Sequence, residues 1–125
     1  MAEIIFSSCY DEKYPPQNIL DNQKNKYFIS TGMYPQEICV QFNETRSLNS
    51  INLNAFGIKK ICILTCESDS AVNFKKQAEQ SEIPNSNKIQ NIKLDLTGRP
   101  SVRVLKIEVL EGYDNFFSIH NLSCA

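Results

Sequence analysis

The sequence lacks the features that usually declare a function at sight. Lys plus Arg number 13 against 14 Asp plus Glu, a formal net charge of −1, so no broad basic face attracts the phosphates of a nucleic acid. Nowhere do 18 apolar residues run together, as a membrane-spanning helix requires, and no membrane insertion is expected. The N-terminal Met1-Ala2-Glu3-Ile4-Ile5-Phe6-Ser7-Ser8-Cys9 has neither a basic region nor an apolar stretch of signal-peptide length. That points to a reducing, cytoplasmic compartment. There is no Walker loop, dinucleotide fingerprint, nucleophile elbow or zinc-protease motif. One histidine exists, His120. Between Phe117, Ile119 and the chain end it reads as a structural residue of a last strand, because catalysis would need a nucleophile and an orienting acid beside it. The expectation is a protein that is not an enzyme.

The cysteines add no framework. Cys9, Cys39, Cys62, Cys66 and Cys124 are odd in number and irregular in spacing, which suits free thiols packing as small hydrophobes. Cys62 and Cys66 imitate a metal-ligand spacing, but on a strand rising about 3.3 Å per residue they stand roughly 13 Å apart. Two thiolates that far apart cannot share a zinc whose Zn–S bonds are about 2.3 Å. The sequons Asn43-Glu44-Thr45 and Asn121-Leu122-Ser123 lack a secretory route to glycosylation. Lys59-Lys60 and Lys75-Lys76 read as solvated strand ends, with no interleaved aromatics to stack bases.

What the chain does have is a period of two. Its 125 residues, 42% hydrophobic, make one domain over 1–125 large enough for a core of its own. Ile51, Leu53 and Ala55 alternate with asparagines; Ile92, Leu94 and Leu96 alternate with charges; Leu105, Ile107 and Val109 face away from Lys106 and Glu108. Each is a half-buried strand of an antiparallel sheet. The runs 37–42 and 61–65 are more uniformly apolar and suit strands covered on both faces. Residues 116–122 read as a last strand. Pro15-Pro16, Gly32, Asn43, Gly57, Gly98-Arg99-Pro100 and Gly112 punctuate the runs. Short strands separated by turns at this spacing predict an all-β fold, an antiparallel β-sandwich or barrel. Residues 17–21 suit a single helical turn. Residues 68–78 fit a helical stripe (Ala71, Phe74, Ala78) and a strand (Val72, Phe74) equally, and 79–88 reads as a mobile loop.

One short stretch gathers oxygen donors: Asn18, Asp21, Asn22 and Asn25. Hard cations such as Ca²⁺ take oxygen ligands, and a solvated turn uses the same residues. The spacing is not that of an EF-hand.

Three blocks carry a family resemblance. They are Asp11-Glu12-Lys13-Tyr14-Pro15-Pro16-Gln17-Asn18-Ile19-Leu20-Asp21-Asn22, then Thr31-Gly32-Met33-Tyr34-Pro35-Gln36-Glu37, then Gly112-Tyr113-Asp114-Asn115-Phe116-Phe117-Ser118-Ile119-His120. Together they resemble the intraflagellar transport protein 25 family, also called heat shock protein family B member 11, from about residue 11 to 123, with a poorer match over 67–100. The resemblance implies a jelly roll of the galactose-binding, discoidin-like type. It also implies a non-enzymatic subunit of the intraflagellar transport B complex in the cilium or flagellum, paired with a Rab-like small GTPase, intraflagellar transport protein 27. The alternative is an intracellular discoidin-like module that binds a sugar or lipid headgroup, with Tyr14, Tyr27 and Tyr34 as loop anchors. For the family's calcium site, Asn18 and Asp21 match two ligand positions. The third is Lys26, whose ammonium is a donor only, and the family's tryptophan two residues on is Phe28. Calcium binding is therefore expected to be weak or lost.

Overall fold

The computed structural model describes residues 2–21, 23, 25–30 and 33–125. Nine strands run through them: β1 (Ala2–Ser7), β2 (Phe28–Ile29), β3 (Gln36–Ser47), β4 (Ser50–Phe56), β5 (Ile58–Cys66), β6 (Lys75–Gln80), β7 (Gln90–Asp95), β8 (Ser101–Gly112) and β9 (Ser118–Cys124). They form a five-stranded sheet in the order β1-β3-β8-β5-β6 and a four-stranded sheet in the order β2-β9-β4-β7. All the pairings are antiparallel. The expected sandwich forms because the period-two aliphatics must share one face to leave water. Ile51, Leu53, Leu105 and Ile107 are fully buried, and Leu94 and Val109 nearly so, in one cluster between the sheets.

The uniformly apolar strands β3 and β5 are covered on both faces, as their pattern predicts. Their outward-facing Cys39 and Cys66 join Val104 in a second small cluster beneath Ala71 and Phe74. The segment after β5 makes that cover. It turns through Ala71 (φ 56°) and Asn73 (φ 58°), and the Cys66 thiol donates to the carbonyls of Ser68 (3.2 Å) and Val72 (3.0 Å). The ambiguity at 68–78 is thus resolved as a folded-back loop followed by strand β6. Ala71 and Phe74 do share an apolar contact, but through left-handed backbone rather than a helix.

Two expectations need correction. Residues 79–88 are not simply a mobile loop. Glu79 and Gln80 complete β6, and Ile83 is buried in the main core. The Ile83 N–H bonds the Lys59 carbonyl at 3.0 Å, and its own carbonyl accepts from the Tyr113 hydroxyl. A single isoleucine within a polar stretch supplies the anchor that periodicity cannot see. Strand β1 was also not expected. It lies at a sheet edge with a register shift between Ile4 and Phe6, so it has no clean alternation. Gly32 of the predicted turns lies outside the described residues.

Candidate functional site

The oxygen-rich stretch begins on a short 3₁₀ helix, Pro16–Leu20. Pro15 is extended ahead of it and Pro16 sits at its start, where a missing N–H costs nothing. Ile19 is buried and anchors the turn to the core. Asp21 then leaves helical geometry (φ −95°, ψ 131°). The Asn18 side chain donates from Nδ2 to the Tyr27 carbonyl at 2.9 Å, closing the following loop. Asp21 Oδ1 accepts the Gln23 N–H at 3.1 Å, and Oδ2 meets the Lys26 ammonium at 3.2 Å. The Gln23 N–H, and secondarily Lys26, hold the Asp21 carboxyl below its ordinary range. Asn25 is exposed, and Asn22 lies outside the described residues.

Among the described residues of this turn, the oxygen donors are already engaged. Both Asp21 oxygens are engaged, Asn18 presents its amide N–H₂ to the loop, and the carbonyls of Asn18, Gln23 and Tyr27 each already accept a hydrogen bond. A calcium ion gathers about six to eight oxygens and favours carboxylate charge. Here the one carboxylate faces an ammonium. Among the described residues, no group of three or more His, Cys, Asp or Glu could hold a metal. Phe28 is buried edge-on to Phe117.

Next to this turn the structure builds a ladder of rings. Tyr14 stacks on Tyr27 at 4.9 Å between centroids, and Tyr27 stacks on His120 at 4.7 Å. A register shift makes this possible: Asn54 pairs with Asn121 and Ala55 with Ile119, so β9 spends an extra residue at His120. A bulge of this kind re-aims a side chain. His120 and Asn121 both sit outward between the buried Ile119 and Leu122. The hydrogen bond that the Tyr27 hydroxyl shares with Tyr14, stabilising its protonated form, and then burial raise the Tyr27 hydroxyl pKa. Burial alone lowers that of His120.

His120 Nε2 lies 3.0 Å from Ser118 Oγ, the separation expected of a nucleophile and its base. Yet Ser118 is buried within the sheet, the His120 ring stacks on Tyr27, and no carboxylate shifts its titration. Among the described residues no carboxylate is seen to orient the ring, and the Ser118 hydroxyl is not exposed as a nucleophile would be. It reads as a strand-surface hydrogen bond.

The tyrosines expected to anchor a ligand do not converge. Tyr14 and Tyr27 spend ring faces on each other and on His120. Tyr34 instead packs over Phe117 and donates its hydroxyl to the Asp114 carbonyl at 3.0 Å. A recess of about 450 Å³ between Cys66, Ser68, Asn73, Gln77, Thr97 and Ser101 holds none of these rings. Sequence reasoning missed the exposed apolar side chains. Ile5, Phe6 and Tyr10 cluster in sequence on and after the edge strand β1, while Met33, Tyr113 and Phe116 lie on the loops that flank Tyr34. Only burial distinguishes them from core residues of the same type.

No protein-family model matches the chain. Among curated proteins, it is 26% identical over 120 residues to intraflagellar transport protein 25 of Chlamydomonas reinhardtii, covering 96% of this chain and 62% of that protein. It is 25% identical over 122 residues to the intraflagellar transport protein 25 homolog of Homo sapiens, covering 98% of this chain and 84% of that one. The chain thus resembles intraflagellar transport protein 25 along nearly all of its length while spanning less than two thirds of the algal protein. Among solved structures, the family 32 CBM from C. perfringens NanJ in complex with galactose superposes with a TM-score of 0.81 at 17% identity, covering 99% of this chain and 98% of that one. At that identity the likeness concerns the fold alone, a jelly-roll β-sandwich.

Proposed function

We propose that the chain is a non-catalytic jelly-roll subunit of the intraflagellar transport B complex, acting in ciliary or flagellar transport through a Rab-like small GTPase partner, intraflagellar transport protein 27. The observation that carries the reading is the likeness to intraflagellar transport protein 25 over 96% and 98% of this chain. The site chemistry is compatible with it. Among the described residues no acid orients the Ser118–His120 pair, and the tyrosines proposed as ligand anchors are spent on internal stacking. The exposed apolar residues are of the kind that sit at the centre of protein interfaces, where a stable pair buries about 800 Å² per partner.

Co-expression with a Rab-like GTPase from the same source, followed by size-exclusion chromatography at micromolar concentration, tests the pairing. Co-elution as a single complex is expected. Separate elution in both nucleotide states of the GTPase would count against it.

A further inference from the structure

All three arginines of the chain, Arg46, Arg99 and Arg103, gather at one end of the sandwich. Arg46 of β3 pairs with Val102 of β8, the residue before Arg103. The next pair, Ser47 with Ser101, leads into the turn that carries Arg99, and the Ser47 hydroxyl donates to the Arg99 carbonyl at 3.3 Å. Paired strand residues stand about 5 Å apart and successive Cα atoms about 3.8 Å, so the three side chains start within roughly 15 Å of one another. Each guanidinium is held in place. Arg103 Nε donates to the Phe42 carbonyl at 2.7 Å, Arg99 Nε donates to Asn49 Oδ1 at 2.6 Å, and the Arg46 guanidinium lies 5.0 Å from the centre of the Phe42 ring. No hydrogen bond among the described residues uses the terminal N–H₂ groups of the three.

The ion pairs among the described residues are all made by lysine. None uses an arginine, although the planar guanidinium is the side chain that best fits a carboxylate, through two parallel N–H···O bonds. Acids are within the same region: Glu44 is two residues from Arg46 on β3, and Asp95 pairs with Ser50. Both are exposed, and neither takes an arginine. We propose that this end of the sandwich is a docking surface for an extended acidic segment of a partner protein, whose carboxylates the three guanidinium forks bind. An extended chain rises about 3.3 Å per residue, so carboxylates on alternate residues recur every ~7 Å and three of them span the spread of the arginines. Arg99 is a costly choice for the turn itself. It has left-handed backbone (φ 48°) directly after Gly98 (φ 75°), where Gly or Asn is the usual residue. The exposed hydroxyls of Thr45, Ser47 and Ser101 lie alongside as further donors. With a net charge of −1 and three forks, the surface is too small and too discrete for a nucleic-acid backbone, which is bound by many phosphate contacts. The assignment does not rest on the proposed transport complex.

The test is fluorescence anisotropy of a short labelled peptide alternating aspartate and valine, titrated with the full chain at low ionic strength, where surface charges are least screened. Saturable binding is expected, and it should be lost when asparagine replaces aspartate in the peptide. Arg99→Gln should weaken binding several-fold, and Arg46→Gln, Arg99→Gln and Arg103→Gln together by at least about tenfold. The same three positions changed to lysine keep the charge and lose the fork, so that chain should also bind several-fold more weakly. Arg99 is exposed on a turn, so its single variant keeps the test readable if a triple variant fails to fold. The proposal is overturned by the absence of binding to the wild type, by equal affinity for the asparagine peptide, or by unchanged affinity in Arg99→Gln. Tighter binding of an oligothymidylate than of the acidic peptide would assign the surface to nucleic acid and overturn it as well.

Discussion

At position 112 it is a neighbour, more than the backbone, that demands glycine. A Cβ there would lie 2.0 Å from the Tyr34 hydroxyl and 2.8 Å from the Gly57 carbonyl, and the tyrosine is held by its stack on Phe117 and its bond to Asp114. Gly112→Ala should cost about 1–3 kcal/mol, as overpacking does. Urea unfolding would measure it, and the cost should shrink in a Tyr34→Phe background. Strict additivity of the two substitutions would show that they do not meet. His120 is the other residue with a directional consequence. Burial lowers its pKa from 6.5, so the unfolded chain binds the proton more readily than the folded one. Its contribution is then fully present above the unfolded value and is lost as pH falls below about 6.5 through the folded value. Replacing His120 with Gln should flatten the stability profile between pH 7 and 5, as followed by thermal unfolding; an unchanged slope would contradict the assignment. Neither consequence was legible in the sequence, because both depend on a partner far along the chain: Tyr34 for Gly112, Tyr27 for His120.

Among the elements, β8 carries the densest set of consequences, because it lies at the centre of the five-stranded sheet. On its outer face Glu108 stands directly opposite Glu37 of β3. Burial, then hydrogen bonding and charge from Glu37, raise the Glu108 pKa. A carboxyl with a raised folded pKa contributes stability below its unfolded value of about 4.5 and loses it as pH rises through the folded value, so the pair is unfavourable at neutral pH. Glu108→Gln should stabilise the protein at pH 7 by about 0.2–1 kcal/mol, the scale of cross-strand pairs, and by less at pH 4. A destabilised variant at pH 7 would refute this. The loop over the same sheet gives a second test. Phe74 packs on the Cys39, Cys66 and Val104 cluster, with the Lys106 ammonium 4.3 Å from its ring centre. Phe74→Ala should make Cys39 and Cys66 react several-fold faster with a thiol reagent, with Cys62 unaffected. The sequence foretold that β3 and β5 are covered on both faces. It could not say by what, since the cover comes from a loop whose period fits helix and strand alike.

On the scale of the whole molecule, the chain's own pattern determined that it is a sandwich. Period-two aliphatics in 51–55, 92–96 and 103–109 can be buried together only as sheet faces, and that constraint is local, written in every second residue. The blocks at 11–22, 31–37 and 112–120 likewise carried the likeness to intraflagellar transport protein 25 that the comparisons then returned. Asn18, Asp21 and Lys26 were visible as a group because they are near in sequence. Only the tertiary structure decided how that group is used. Lys26 points at Asp21, Asn18 holds Tyr27, and a bulge in β9 brings His120, more than ninety residues away, onto the same ring stack. The edge strand β1, the buried Ile83 and the exposed Phe6, Met33 and Phe116 were settled there too. The physical reason is the same for each. Alternation records which side of a strand meets the core, but strand order, bulges and side-chain direction come from contacts between residues distant in the chain, and a period read along the chain does not contain those contacts.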